Sequence, residues 1–368
     1  MEVVMARNCR RAARLLSGIL AVVLALVAKP VTSWADVTAR PVLTGLDQPV
    51  GFTFGPGRTL WYVEKAAGEI HVVDLATGRD RLFYRVPGVN AEGERGLLGI
   101  ALHPDYPSRP WVYVYVTRRA HGELRNRILR IREEDGVGVA RREIFSAPVG
   151  TRTNHNGGRI LFGPDGMLYA VVGDGADPAT SQDLTDEDRG KLLRMTPAGD
   201  VPPTNPTDAR WFAYGLRNSF GFAFDPRTGR LWETDNGPAC NDEVNLIREG
   251  GNYGWGPTAT CEGTAPRNTN HDGPDPILPE LYLQDTVGIT GIAFCEGCGL
   301  GPRSEGAAFF GAVNDGRIRR ATLTDRRTGI RRVRSVYDHP RGVISIEVGP
   351  RGRLYFSDMT GIYRLVRT

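Results

Sequence analysis

The sequence predicts an all-β fold, and more narrowly a six-bladed β-propeller built from four-stranded antiparallel blades. First, the chain of 368 residues holds 46 glycines and 25 prolines, which favours many short strands joined by turns. Second, one phrase recurs: an apolar strand, a Gly-Pro or Asp-Pro turn, and a second strand that opens with Leu-Tyr or Leu-Trp. Third, the phrase returns at intervals of roughly 50 to 70 residues, which is typical of propeller blades. Its six copies, two of them with longer or degenerate turns, lie at 51–61, 99–115, 160–169, 222–232, 290–310 and 346–355.

The copy at 160–169 shows why the repeat forms a hairpin. Its turn, Gly163-Pro164-Asp165-Gly166, combines a proline that presets φ with a glycine that tolerates a positive φ. Apolar, β-branched and aromatic residues flank the turn, as expected of strands. His155 and Asp174 therefore lie at the outer ends of the two strands, and we expect both on one loop-rich surface.

The two ends of the repeat region are expected to meet. The strand-like segments at 41–44 and 362–366 could share the last blade, which would remove a free sheet edge. One or two helical turns are expected near 183–191, and no other helix is indicated. No linker or compositional shift divides residues 36–368, so one propeller domain is predicted for this range.

Residues 1–35 have the composition of a secretory signal. Basic residues precede an apolar run at 15–28, and small residues at 33–35 offer a cleavage point. The run of about 14 residues is shorter than the roughly 20 that span a bilayer, so cleavage is expected rather than anchoring. We therefore predict an exported protein, periplasmic or secreted, with no stable membrane insertion after cleavage. The basic residues of the segment are Arg7, Arg10, Arg11, Arg14 and Lys29.

Removal of the signal changes the charge balance. The whole chain has 46 basic and 42 acidic residues, a net charge of +4. The first 35 residues hold five of the basic and one of the acidic residues, which leaves 41 of each. Because the remaining chain is neutral and contains no basic block, nucleic acid is not an expected partner.

Four cysteines follow the predicted signal: Cys240, Cys261, Cys295 and Cys298. An even number of cysteines in an exported protein favours disulfides. The short spacing of Cys295 and Cys298 suggests that these two pair with each other and that Cys240 pairs with Cys261. A zinc site or a redox role for the thiols is the alternative.

Polar residues precede three of the repeated inner strands in the same register. They are Glu94, His155, and Arg217 with Asn218. Loops at one face of a propeller converge on its axis, so this register predicts a shared central site. A histidine such as His155 could act there as a general base. Turn capping by His155 and Asp174, and a surface salt bridge for Arg217, are the alternatives.

The segment 235–245 is rich in oxygen donors. Within it, Gly237 and Pro238 can present carbonyl oxygens without bulky side chains. Hard oxygen ligands of this kind suit calcium, although the segment is not an EF-hand. A polar loop held by a disulfide at Cys240 is the alternative.

Several of these residues belong to motifs that resemble a known family. In chain order the motifs are Gly96-Leu-Leu-Gly99 with His103-Pro-Asp105, His155-Asn-Gly-Gly-Arg159, Gly173-Asp174, Gly190-Lys-Leu-Leu-Arg194, Gly215-Leu-Arg-Asn218, Asn236-Gly-Pro238, Asp242-Glu-Val-Asn-Leu-Ile247 and Asn252-Tyr-Gly-Trp255. In this order, over nearly all of residues 36–368, they resemble the soluble quinoprotein aldose sugar dehydrogenases of the glucose/sorbosone dehydrogenase family. Members of that family are six-bladed propellers that use pyrroloquinoline quinone and calcium.

The resemblance implies oxidation of a sugar at its anomeric carbon. His155 would take the proton of the C1 hydroxyl while hydride passes to the quinone, and Asp174 would orient the histidine. Arg217 and Asn218 would stabilise negative charge on the quinone oxygens. The partners implied are a small-molecule sugar and an electron acceptor that the resemblance does not identify.

The resemblance also implies two calcium ions. One, held by the carbonyls of Gly237 and Pro238, would polarise the quinone. A second, structural ion is implied near Glu243 and Tyr253.

The chain departs from the family pattern where cations bind the carboxylates of the cofactor. Asn314 stands where relatives carry a lysine, and Gly342 and Ile344 stand where they carry an Arg-x-Arg pair. Glu94, a further position expected at the cofactor, replaces a common glutamine. Three nearby arginines could supply the charge from shifted positions: Arg317, Arg319 and Arg341.

These departures favour an alternative function. An exported propeller of the same descent that has lost the cofactor would act as a carbohydrate- or protein-binding module. A calcium-dependent propeller hydrolase such as a lactonase is a third possibility, but it needs a ring of inward carboxylates that the sequence does not indicate.

Overall fold

The computed structural model describes residues 37–185 and 187–368, and these residues form the predicted six-bladed β-propeller. Each blade is a four-stranded antiparallel sheet. The expected signal at 1–35 and the expected start of the domain at 36 lie outside the described residues. In chain order the strands are β1 (Val37–Thr44), β2 (Gly51–Gly55), β3 (Thr59–Glu64), β4 (Glu69–Asp74), β5 (Asp80–Arg85), β6 (Leu97–Leu102), β7 (Trp111–Ala120), β8 (Glu123–Glu134), β9 (Val137–Pro148), β10 (Ile160–Phe162), β11 (Leu168–Val172), β12 (Lys191–Met195), β13 (Trp211–Tyr214), β14 (Asn218–Phe224), β15 (Leu231–Asn236), β16 (Asp242–Ile247), β17 (Leu281–Leu283), β18 (Ile289–Phe294), β19 (Ala308–Ala312), β20 (Arg317–Leu323), β21 (Ile330–Asp338), β22 (Ser345–Val348), β23 (Leu354–Ser357) and β24 (Gly361–Arg367).

The two ends of the described chain close the ring within one blade. Blades 1 to 5 contain β2–β5, β6–β9, β10–β13, β14–β17 and β18–β21, whereas blade 6 combines β22, β23 and β24 with β1. Strand β1 pairs antiparallel with β24, from Val37 opposite Arg367 to Thr44 opposite Gly361. The predicted shared blade is therefore confirmed, and the pairing is longer than the segments at 41–44 and 362–366 indicated.

The direction of the strands gives the propeller two distinct faces. The first strand of each blade, which is β2, β6, β10, β14, β18 or β22, lies in the inner part of the ring. The residues that precede these six strands share one face, here named the site face. The turns between the first and second strands of the blades lie on the opposite face, here named the turn face.

The predicted turn of blade 3 lies on the turn face. The backbone N–H of Gly163 donates to the carbonyl of Met167 at 2.9 Å, and Asp165 Oδ1 accepts from the N–H of Met167 at 3.1 Å. Gly166 has a φ of 73°, a left-handed conformation that glycine adopts at little steric cost. The Gly-Pro-Asp-Gly sequence is thus sufficient to form this hairpin.

The hydrophobic core lies between neighbouring blades. Tyr115 and Ile128 of blade 2 pack with Val172 and Leu193 of blade 3, and all four side chains are fully buried. Similar layers separate the other blades. Because apolar side chains fill these layers, the polar residues next to the inner strands are left to face the axis.

Helices contribute little to the described residues. Their one α-helix, at Ala179–Gln182, is a single turn, and 3₁₀ turns occur at Pro56–Arg58 and Pro350–Gly352. The expectation of helical turns at 183–191 is wrong, since the helix precedes this segment and Lys191 already begins β12. No helix in the described part of the chain is long and apolar enough to cross a membrane.

The four cysteines form the two predicted disulfides, Cys240–Cys261 and Cys295–Cys298. The Cα atoms of the pairs lie 5.9 Å and 5.1 Å apart. Because each thiol is used in a local pair, a zinc site made of the four thiolates is excluded in this state.

The closure of blade 6 is testable by truncation. A chain that begins at Gly45 lacks β1, so it loses the pairing with β24 and the fully buried side chain of Val37. The burial of one valine is worth about 1.5–3 kcal/mol, and an uncovered strand edge promotes association between molecules. We expect a lower unfolding temperature and aggregation in gel filtration, compared with a chain that begins at residue 36. Equal stability and a single unchanged elution peak would contradict the role of β1.

Candidate functional site

A cavity of about 350 Å³ opens at the axis of the propeller on the site face. Residues from all six blades line its wall, as expected where six sets of loops converge. The polar and charged residues of the wall are Lys65, Glu94, Arg159, Asn218, Asn236, Thr290, Asn314 and Ser345.

His155 lies next to this cavity and forms a close pair with Asp174. Its backbone N–H donates to Oε2 of Glu94, a wall residue, at 2.7 Å. Its Nδ1 lies 2.6 Å from Asp174 Oδ1. A carboxylate only accepts hydrogen bonds, so Nδ1 carries a proton, and in the neutral form of the ring Nε2 is an acceptor. Within residues 37–185 and 187–368, no hydrogen bond occupies Nε2.

Asp174 is fully buried, and several further hydrogen bonds fix its position. Trp255 Nε1 donates to Oδ2 at 2.9 Å, and the backbone N–H of Ala176 donates to Oδ1 at 2.7 Å. The N–H of Asp174 itself donates to the carbonyl of Arg217 at 2.7 Å. Trp255 therefore orients the carboxylate that holds His155, a role that sequence reasoning missed.

Arg217 gathers two backbone carbonyls of the segment predicted to bind calcium. Its Nη1 donates to the carbonyl oxygens of Asn236 and Gly237, each at 2.8 Å. Its guanidinium carbon lies 5.3 Å from the centre of the Trp255 ring. Its Nε is buried, and no described residue accepts from it. Pro238 lines the same small cleft, so the two predicted carbonyl donors lie together beside a cation.

Asp235 organises the start of β14 through backbone bonds. Its two carboxylate oxygens accept from the N–H groups of Arg217 and Asn218, each at 2.7 Å. Asn218 Nδ2 in turn approaches Glu94 Oε2 at 3.4 Å. The structure therefore brings Glu94, His155, Arg217 and Asn218 together from three neighbouring blades.

The oxygens predicted to hold a second calcium ion also converge. Asn270 Nδ2 donates to Glu243 Oε2 at 3.1 Å and to the backbone carbonyl of Tyr253 at 2.8 Å. The hydroxyl of Tyr253 points elsewhere and donates to the carbonyl of Leu246 at 2.7 Å. Of the two oxygens of Tyr253, it is therefore the backbone carbonyl oxygen, and not the hydroxyl, that could bind a cation beside Glu243.

Buried carboxyl groups cluster on β15 and β16. Asp235 lies opposite Glu243, and Glu233 lies opposite Asn245. Burial raises the pKa of Asp235 to about 6 and raises the pKa values of Glu233 and Glu243 well above their usual range. Glu233 Oε1 has no hydrogen-bond partner among the described residues. Groups of this kind must be neutralised by a proton or a cation.

The positions that depart from the family pattern fall on or near the cavity wall. Asn314 and Ile344 line it, whereas Gly342 does not. Both wall residues are uncharged, so this part of the cavity has no cation at the expected positions.

The three arginines suggested as substitutes are not part of the wall. Arg341 Nε lies 2.6 Å from Asp358, a fully buried carboxylate that holds the guanidinium away from the cavity. The other two are also held by aspartates. The pairs are Arg317–Asp338, Arg319–Asp315 and Arg341–Asp358. The expectation that these arginines replace the missing cations is not met.

Two cations that sequence reasoning did not single out line the wall instead. Lys65 directly follows β3, and its Nζ donates to the carbonyls of Ala91 and Gly93 at 3.1 and 2.8 Å. Burial lowers the pKa of Lys65. Arg159 pairs with Glu347, with Nη1 and Oε1 2.5 Å apart. Arg159 directly precedes the inner strand β10, and Lys65 directly follows the second strand of its blade. Both lie at strand ends on the site face, so the register was a signal that could have found them.

Comparison with known proteins gives a consistent result. The protein-family model described as Glucose / Sorbosone dehydrogenase matches residues 46–366. Aldose sugar dehydrogenase YliI of Escherichia coli K12 is 28% identical over 351 residues, which are 87% of this chain and 90% of that protein. Quinoprotein glucose dehydrogenase B of Acinetobacter calcoaceticus is 31% identical over 247 residues, 59% of this chain. That match spans 52% of the Acinetobacter protein, about half of its length.

Solved structures show the same likeness. The PQQ-bound form of an aldose sugar dehydrogenase from Streptomyces coelicolor has a TM-score of 0.77 and 32% sequence identity to this chain. The alignment covers 90% of this chain and 97% of that chain. The likeness therefore extends over the blades and the candidate site together.

The buried carboxyls predict an unusual dependence of stability on pH. Above the unfolded-state pKa of a glutamate, about 4.3, the unfolded chain releases a proton that buried Glu233 retains. The folded state then binds more protons, so stability falls by up to about 1.4 kcal/mol per pH unit for each such group. Glu233→Gln mimics the protonated form, and we expect its stability relative to the wild type to be higher at pH 8 than at pH 4.

Denaturant unfolding between pH 4 and 8 measures this difference. Glu249→Gln, at an exposed glutamate just after the neighbouring strand β16, serves as the matched control and should follow the wild type. Parallel stability curves for Glu233→Gln and the wild type would show that Glu233 is ionised in the fold.

Proposed function

Because the chain belongs to the glucose/sorbosone dehydrogenase family, we propose that it is a quinoprotein oxidoreductase that oxidises the anomeric carbon of aldose sugars to lactones. The observation that carries the proposal is the His155–Asp174 pair, with Nε2 of the histidine available, beside a cavity on the propeller axis. We also propose that the protein works after export, in the periplasm or outside the cell. Its electron acceptor is not identified by the site.

The residues around the cavity fit pyrroloquinoline quinone with calcium. The carbonyls of Asn236 and Gly237 converge on one cationic nitrogen, so backbone oxygens of this loop already face a positive charge, and carbonyl oxygens are among the ligands that calcium prefers. Arg217 keeps a buried Nε–H without a partner among the described residues, so one donor is available to an anionic oxygen. Lys65 and Arg159 are the cations of the wall that would hold acidic groups of the cofactor.

When bound, the quinone would supply an acceptor for the two electrons that leave C1 of the sugar. The remaining steps rest on the protein. His155 Nε2 would accept the proton of the C1 hydroxyl, and Asp174 would stabilise the imidazolium that results. Trp255 would hold Asp174 in place, so the histidine keeps its tautomer. Arg217 would favour negative charge on an oxygen in the cavity.

Calcium would have two distinct roles. An ion at the carbonyls of Gly237 and Pro238 would act at the cavity as a Lewis acid. An ion at Glu243 and the carbonyl of Tyr253 would neutralise part of the buried acidic cluster, and its effect would be on stability.

A second candidate function follows from two uncharged residues of the wall. Asn314 and Ile344 line the cavity where a cofactor with several carboxylates would meet cations. A propeller of the same descent without the cofactor would use this cavity to bind a carbohydrate or a protein segment. The uncharged side chains at these two positions favour an uncharged part of the ligand there.

Reconstitution distinguishes the two functions. The purified protein supplied with pyrroloquinoline quinone and calcium should reduce an artificial dye when an aldose is added. His155→Ala removes the proposed base and should lower turnover by on the order of 10² to 10⁴-fold. His271→Ala, at an exposed histidine away from the cavity wall, is the control and should retain activity. Absence of quinone absorbance after gel filtration, with no turnover on a panel of sugars, would favour the binding module.

The structural calcium site is testable without activity. Calcium at a hundred times its dissociation constant should stabilise the fold by about 2.7 kcal/mol, whereas magnesium should have a smaller effect. Glu243→Gln removes the only carboxylate proposed for that ion and should reduce the calcium-dependent rise in unfolding temperature. Glu249→Gln should not. An equal rise in wild type and Glu243→Gln would place the ion elsewhere.

A further inference from the structure

A cleft of about 510 Å³ lies on the turn face, between blades 1 and 6, and six arginines line it. It is remote from the candidate site, because the residues that reach it come from turns and strand ends of the opposite face. We name it the arginine cleft. Its arginines are Arg40, Arg58, Arg351, Arg353, Arg364 and Arg367.

No aspartate or glutamate side chain in the wall of the cleft balances these charges. Neither an aspartate nor a glutamate is among its lining residues, and none of the six arginines forms an ion pair with such a side chain within the described residues. Arg353 Nη1 donates to the carbonyl of Cys298 at 2.8 Å, which fixes one guanidinium without neutralising it. The six cations therefore repel one another unless an anion enters.

The sheet places two of these cations side by side. Arg40 on β1 lies directly opposite Arg364 on β24. Like charges at directly opposed positions of an antiparallel pair are destabilising. Tyr355 of β23 is the next residue across the sheet from Arg364 and also lines the cleft. The arrangement costs stability, and a ligand that accepts from both guanidinium groups would remove that cost.

Two other arginines occupy backbone positions that favour glycine. Arg58 and Arg351 have φ values of 64° and 62°, in the left-handed region. They lie in the equivalent Gly-Pro turns of blades 1 and 6, at the mouth of the cleft. Glycine would adopt these conformations more readily than arginine. Arginine at both positions is explained if its charged side chain binds a ligand, which glycine cannot do.

We propose that the arginine cleft binds a ligand that carries two or more phosphate groups. The guanidinium group pairs with phosphate through two parallel hydrogen bonds and remains charged at any physiological pH. One phosphate has room for two or three such partners, so six arginines call for several phosphate groups. The apolar side chains of Val42, Leu75 and Leu365 on the wall also allow contact with an uncharged part of the ligand.

The ligand is either a soluble polyphosphorylated molecule or the headgroups of anionic phospholipids at a membrane surface. Both present the same phosphate chemistry. Tripolyphosphate tests the first source, and vesicles of phosphatidylglycerol, compared with vesicles of phosphatidylcholine, test the second.

Calorimetry on the purified protein tests the proposal. Tripolyphosphate should bind at least tenfold more tightly than orthophosphate or citrate, and its affinity should fall as sodium chloride is raised. If lipid is the source, the protein should sediment with phosphatidylglycerol vesicles and not with phosphatidylcholine vesicles. No binding to tripolyphosphate or to either vesicle, or an equal preference for citrate, would overturn the proposal.

The double variant Arg58→Gly, Arg351→Gly separates charge from folding. Glycine is favoured at both positions, so the unfolding temperature should be equal to or higher than that of the wild type. Binding of the phosphate probe should weaken at least tenfold. Arg132→Gln, at an exposed arginine of β8 that pairs with Glu134, is the control and should bind within twofold of the wild type. Undiminished binding by the double glycine variant would show that the cleft is not the site.

Discussion

The structure depends on the closure of a ring of six inner strands that all run in one direction. Closure comes from the pairing of β1 with β24, which joins the two ends of the described chain in blade 6. Every inner strand begins on the site face. The residues that precede the six strands therefore occupy equivalent positions around the axis. The wall of the axial cavity is drawn from all six blades for this reason. No single blade could form such a site, so the stability of the ring and the chemistry at its axis are linked.

The His155–Asp174 pair has a counterpart across the ring, in blade 6. There His339 Nε2 lies 2.8 Å from Asp358 Oδ2, and Asp358 follows β23 much as Asp174 follows β11. In that pair the carboxylate is shared with Arg341, and neither His339 nor Asp358 reaches the cavity wall. The same two residue types thus tie loops together in one blade and form a candidate base in another. What distinguishes them is the second ring nitrogen: both nitrogens of His339 have partners, in Tyr337 and Asp358, whereas Nε2 of His155 has none among the described residues.

Local patterns accounted for the fold and part of the site, and long-range contacts account for the rest. The blades were predictable because a turn such as 163–166 and the strands beside it are specified by adjacent residues. The same register placed His155 and Arg217 on one face. The contact of Trp255 with Asp174 joins residues 81 positions apart, and no local pattern encodes it. Lys65 likewise reaches carbonyls 26 and 28 positions away. The replacement of family cations by Arg341 or its neighbours failed as a prediction because aspartates outside the cavity wall pair with those side chains.

The axial site and the arginine cleft differ in charge although residues 36–368 contain equal numbers of basic and acidic residues. The site side buries carboxyls such as Asp174, Asp235 and Glu243, which favour cations and protons. The turn face gathers six arginines around one cleft without a carboxylate in its wall. A strand of five or six residues separates the faces by roughly 15–20 Å, which exceeds the Debye length of about 8 Å at physiological ionic strength. The axial site and the arginine cleft can therefore differ in electrostatic character within one neutral chain.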